Sequence, residues 1–304
     1  SDDWIMYDSA ATNTNPDSSY ILYGLTGNSD PPPASRAAFM GTRISRPGVY
    51  IGTSDPIRIY PNKAFAFLYN SVSADTRSPG TSQNILRVHV ANGQNIMNNL
   101  FTLGGVQWGY WNGCGGTCGG GAGTSTNLLF EGNFIDASQN TDGAMGVKLQ
   151  EFRDDGLIGK YKVVNNIMLG GGKLVQANLN RVSEVFVAHN SFYTTFSGLT
   201  SGGKGIVANS AGGHAFNRAK VINNGLKMTS TNAGYQLVEN AGLWGTLEST
   251  QISKNIYLIG ASGKLASVEG VDYVTPTDWS VALMKGSQLN VNADPLFIDP
   301  SNNN

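Results

Sequence analysis

Oxygen-bearing side chains recur at alternate positions in Asp136-Ala-Ser-Gln-Asn140-Thr-Asp142-Gly. Calcium loops present their ligands with this spacing. Asp136, Asn140 and Asp142 are therefore the candidate metal ligands, and Ca2+ is the one cofactor for which the sequence offers a place. No Glu closes the loop at the expected distance, so an ordinary polar turn is the plain alternative. Further on, Lys148 lies in a strand-like run and is followed by Arg153, Asp154 and Asp155. This set is either a small acid–base cluster or a solvated loop carrying a local ion pair. Trp108-Gly-Tyr110-Trp111 places three large rings just before a glycine-rich insertion, where they could stack on sugar rings, anchor another subunit, or pack on their own loop. The two cysteines, Cys114 and Cys118, enclose Gly-Gly-Thr. So flexible a loop can fold back and bring the sulfurs together, which points to a disulfide and an oxidising compartment. Free thiols are the alternative, and a metal reading lacks further Cys or His nearby. His89 and His189 sit inside strand-like runs with no Ser, Cys and acid arrangement around them, so nucleophilic catalysis has no support.

The elements that must position these groups announce themselves as a repeat. An apolar β-prone run, an Asn and a second apolar run recur in Ile96-Met-Asn-Asn99-Leu-Phe, Leu129-Phe-Glu-Gly-Asn133-Phe-Ile, Val163-Val-Asn-Asn166-Ile-Met, Phe186-Val-Ala-His-Asn190-Ser-Phe, Val221-Ile-Asn-Asn224-Gly-Leu and Ile252-Ser-Lys-Asn255-Ile-Tyr. Successive Asn spacings are 34, 33, 24, 34 and 31 residues, a loose period in the range of stacked repeats. A second series lies between them, with Val147, Val175, Val207 and Val238 spaced by 28, 32 and 31 residues. Two interleaved series of one period predict at least two strands per repeat, stacked in parallel on their equivalents, with these valines inward. Asn tolerates the left-handed backbone of a sharp turn, and its amide can bond to the Asn above and below. The expected result is an internal ladder through Asn99, Asn133, Asn166, Asn190, Asn224 and Asn255.

Residues 84 to 270 resemble the right-handed parallel β-helix proteins of the pectate-lyase-like superfamily, whose repeats carry an inward Asn at the turn between two strands. The resemblance implies an all-β, right-handed parallel β-helix solenoid. Asn292-Ala-Asp-Pro-Leu-Phe-Ile-Asp299-Pro is similar to the segment that ends many secreted members. Residues 1–80 do not fit the repeat and are expected to form an irregular N-terminal capping region, with residues 81–304 forming the repeats and the ending segment. Pectin-type hydrolases of the fold carry Asn-Thr-Asp, Asp-Asp, Gly-His-Gly and Arg-Ile-Lys, and fragments of each occur here at Asn140-Thr-Asp142, Asp154-Asp155, Gly213-His214 and Arg218-Ala-Lys220. Their spacing is too short for successive repeats. Lyases of the superfamily remove a proton beside a uronic acid with Arg or Lys while a cation neutralises the carboxylate. That resemblance makes Lys148 the candidate base, with Arg153, Asp154 and Asp155 near it. Its expected outward neighbours are Gln176, Asn209 and Glu239, none of them a second base.

Composition narrows the function. The 304 residues carry 13% charged side chains, a formal net charge of -1 and 39 glycines, so the surface is polar without being ionic. Nucleic acid and anionic membrane both reward concentrated Lys and Arg, which are absent as runs, and no apolar stretch is long enough to span a bilayer. The leading expectation is an extracellular structural or adhesive protein, secreted or at the cell surface, whose partners are copies of itself in a fibre or oligomer. The alternatives are a polysaccharide-active enzyme, lyase before hydrolase, and a phage tailspike module.

Overall fold

The computed structural model describes residues 4–12, 22–23, 36–46, 57–59, 64–74, 84–88, 93–102, 105–108, 127–137, 145–151, 160–179, 184–194, 204–209, 218–228, 235–239, 250–259, 264–268, 271–275, 277–278 and 291–292. The fold is all-β, and among the described residues the strands form three sheets of nine, ten and ten strands. Strands recur in triplets, one to each sheet. Asn127–Glu131, Phe134–Ala137 and Met145–Glu151 are one triplet, and Lys160–Val164, Ile167–Gly170 and Lys173–Leu179 are the next. Each strand lies parallel on its equivalent from the preceding triplet. Among the described strands the antiparallel exception is Val271–Tyr273, which folds back along Lys264–Val268 at the edge of the third sheet.

Alternation explains why these segments are strands. Ala64-Phe-Ala-Phe-Leu68 buries Phe65 and Phe67 and turns its alanines outward, and Lys160-Tyr-Lys-Val163 buries Tyr161 and Val163 between exposed lysines. The buried sides of the sheets share one core. Its best-defined part is a run of rings: Phe39 to Phe67 at 5.8 Å, Phe65 to Phe67 at 6.1 Å and Phe67 to Phe101 at 6.0 Å between centroids, within the range where ring pairs add to area burial.

The connection from first to second sheet is a two-residue turn, and the asparagine ladder stands there. Asn99, Asn133, Asn166, Asn190, Asn224 and Asn255 are all buried. The backbone N–H of each donates to the side-chain oxygen of the next, from Asn99 to Asn133 (3.1 Å) through to Asn224 to Asn255 (2.9 Å). Each Nδ2 donates to the same oxygen and also back to a carbonyl of the preceding strand, as Asn166 Nδ2 does to Phe130 O at 3.0 Å. The left-handed backbone falls on the residue before the ladder Asn, and not on the ladder Asn as the sequence reading expects. Asn98, Asn165, His189, Asn223 and Lys254 have φ of 55 to 57°, and Gly132 takes 65°. The reversal happens first, and the following side chain is thereby aimed into the protein.

Two expectations are corrected. Strands within residues 1–80 already belong to the three sheets: Trp4–Tyr7, Arg36–Met40 and Ala64–Leu68 to the first, Ala10–Thr12, Arg43–Arg46 and Ser71–Ala74 to the second, and Leu22–Tyr23 and Ile57–Ile59 to the third. Asn70 extends the ladder, and Thr42 N–H donates to its Oδ1 at 2.9 Å. Small outward residues and the Thr at position 42 mask the repeat in this stretch. The second valine series also slips. Val147 pairs with Val175, but Val175 pairs with Ile206, and Val207 stands beside Gln176. Adjacent Ile206 and Val207 fit the pattern equally well by residue type, and a shift of one residue exchanges the faces of a strand.

Candidate functional site

The residues singled out by sequence fall in scattered places. Lys148 lies in Met145–Glu151 of the third sheet, in register with Gln107 on one side and Gln176 on the other. Asn209 and Glu239 are not its neighbours; they pair with Asn178 and Ala208. Gln176 is buried and accepts a hydrogen bond from Lys173 Nζ at 3.0 Å. Asp136 lies in the strand Phe134–Ala137, half-buried and in register with Thr102 and Leu169, where the calcium reading has the start of a loop. Among the described residues no three His, Cys, Asp or Glu side chains gather as a metal site would need. Trp108 ends the strand Gly105–Trp108, in register with Val88 and Leu149. Tyr110, Trp111, Cys114, Cys118, Asn140, Asp142, Arg153, Asp154, Asp155, Gly213 and His214 lie outside the described residues. His189 is exposed at a ladder turn and not packed in a strand.

The structure brings together a different set. On the outer face of the first sheet, Lys160 is in register with Glu184, and Lys162 with Phe186. One strand further, Phe186 is in register with Lys220. The alternation that buries Tyr161 and Val185 turns these five side chains outward. They line a shallow depression of about 290 Å3. Lys160 Nζ lies 3.7 Å from Glu184 Oε2, with both side chains well exposed, so that pair contributes little to stability. Lys162 and Lys220 have no ion-pair partner among the described residues and stand on either side of the Phe186 ring.

Two strand steps of about 4.8 Å separate Lys162 from Lys220 at the backbone. Two like charges about 10 Å apart in water repel by only about 0.4 kcal/mol, and physiological salt screens much of that. The molecule holds this pair at small cost. Three lysines against one glutamate leave the depression at +2 in a chain whose formal net charge is -1. Such a depression can hold an anionic group beside a partly apolar floor. The cue was present in the sequence: Lys162, Phe186 and Lys220 each precede a ladder Asn by the same interval, at Asn166, Asn190 and Asn224.

No protein-family model matches the chain, and no curated protein or solved structure matches it either.

Proposed function

We propose that the three parallel sheets wind as a right-handed β-helix solenoid, and that the chain is an extracellular structural or adhesive surface protein that assembles with copies of itself. The observation that carries the assembly reading is the exposure of apolar side chains at both ends of the stack. Ile5 and Tyr7 on the first strand are 76% and 68% exposed, and Val271 and Val274 beside the last strands are 54% and 56% exposed. Natural proteins cover such edges or use them for association. Handedness follows from the crossover rule, since parallel strand-to-strand connections are right-handed in about 98% of cases. The extracellular setting is supported by the closely spaced Cys114 and Cys118 and by the sparse charge.

The polysaccharide-active alternative has less support, because the register sets Lys148 between two glutamines, with no charged residue directly beside it in register among the described residues. Light scattering coupled to size exclusion, with negative-stain imaging of the same fractions, tests the assembly reading. Concentration-dependent oligomers or filaments are expected, reduced in Ile5→Asp/Tyr7→Asp. A monodisperse monomer at all concentrations overturns it. Incubation with polygalacturonate is expected to release no unsaturated product or new reducing ends.

A further inference from the structure

The lysine depression has a complement elsewhere on the same chain. Residues 269–278, Glu-Gly-Val-Asp-Tyr-Val-Thr-Pro-Thr-Asp, carry three carboxylates and no Lys or Arg. Their described part lies at the edge of the third sheet, where Val271–Tyr273 pairs on one side only with Lys264–Val268. Tyr273 packs against the core and is in register with Ala266, which holds the segment in place. Beyond it, Thr275 N–H donates to Asp278 Oδ2 and Asp278 N–H donates to Thr275 Oγ1, both at 3.1 Å, a reciprocal pair that fixes the turn. Val271, Asp272, Val274 and Asp278 are all exposed on it.

We propose that this acidic edge segment of one copy docks into the depression formed by Lys160, Lys162, Phe186 and Lys220 of a second copy. The inference rests on the self-assembly reading and names its contact. Side chains two apart on an extended segment stand about 6.7 Å from each other, so Asp272 reaches a lysine while Val274 lies against the Phe186 ring. The charges are opposite in sign, and each side also supplies an apolar group. The two surfaces are different patches, so the contact is head-to-side. It leaves one free patch and one free segment at the ends of every oligomer, and it grows an open chain unless its rotation closes a ring.

Reciprocal charge reversal in the full-length protein tests this by sedimentation velocity. Lys162→Glu/Lys220→Glu sets acid against acid, and Asp272→Lys/Asp278→Lys sets base against base. Each variant alone is expected to need about tenfold more protein to associate than the parent chain. Mixed together, the two variants carry complementary surfaces at both contacts, and association is expected to return with the copies alternating. Val271→Ser/Val274→Ser, which leaves every charge in place, is expected to weaken association less than either reversal does. The contact is overturned if either reversal associates like the parent, or if the mixture stays dissociated while both variants keep the parent's circular dichroism. It is likewise overturned if polygalacturonate binds the depression with no effect on assembly. Parent protein that assembles indifferently to both reversals removes this contact and leaves the self-assembly reading standing, whereas a parent that never associates removes both.

Discussion

Replacing Asn166 by alanine cuts the ladder at its middle, and the structure allows the cost to be worked out bond by bond. Asn166 Oδ1 accepts from Asn133 N–H at 2.9 Å and from Asn133 Nδ2 at 3.0 Å. Asn166 Nδ2 donates to Phe130 O, Val164 O and Asn190 Oδ1 at 2.9 to 3.0 Å. Truncation leaves the Asn133 backbone N–H buried without its acceptor, while Asn133 Nδ2 keeps Ile96 O and Asn190 Oδ1 keeps the Asn166 N–H. One orphaned buried donor costs about 1–3 kcal/mol, and the remaining weakened bonds add about 1 kcal/mol. The expected loss is thus about 2–4 kcal/mol. The control is Asn95→Ala, an exposed asparagine on the outer face of the first sheet, whose change should stay within about 0.5 kcal/mol. Urea unfolding followed by circular dichroism gives both values from the shift in midpoint at constant slope. If Asn166→Ala falls within 0.5 kcal/mol of Asn95→Ala, the ladder is a consequence of strand stacking and does not hold the turns.

Other expectations follow from the same geometry. Asn166→Asp keeps an acceptor for Asn133 but faces a carboxylate toward Phe130 O and Val164 O, so burial and those oxygens raise its folded pKa above the unfolded value of about 3.9. The protonated variant is then the more stable form, and its deficit against the parent should be small near pH 4 and grow as pH rises, as read by melting at several pH values. Gly132→Ala places a methyl group on a residue with φ of 65° and against the Asn98 side chain, and is expected to cost about 1–2 kcal/mol in the same urea assay. Gly93→Ala has φ of 85° but open space around the new methyl, so it should cost less than Gly132→Ala. Phe67→Ala removes the ring that touches Phe39, Phe65 and Phe101, with an expected loss of about 3–5 kcal/mol.

The ladder was legible in sequence because a polar residue buried at every repeat must be flanked by the apolar runs that bury it. Asn70 carries the same signature, yet Ser71 and Ser73 dilute the second run, and the ladder reaches into the first eighty residues unannounced. Register was less legible than period. Val147 and Val175 align as spaced, whereas Val175 meets Ile206 and not Val207, because two neighbouring β-branched residues fit the pattern equally well by type. The depression was missed for a different reason. Lys160, Lys162, Glu184 and Lys220 are spread over sixty residues and form no motif along the chain. Only counting back from each ladder Asn places Lys162, Phe186 and Lys220 in one row. Lys148 drew notice through its sequence neighbours, which say nothing about what stands beside it one strand away.

The ladder also has a direction. Every carboxamide turns its oxygen toward the preceding turn and its nitrogen toward the following one, so the amide dipoles add along the stack as peptide dipoles do along a helix. At the early end the series stops on hydroxyls. Thr42 Oγ1 donates to Met40 O at 3.4 Å, and Ser9 Oγ donates to Tyr7 O at 2.8 Å. Those side chains settle on their own strand and ask nothing of a turn before them. The dipole of the ladder itself therefore has its negative end toward the first turn and its positive end toward the last. A row of copies joined by the proposed head-to-side contact would carry this heading from one copy to the next, so its two ends would be distinguishable.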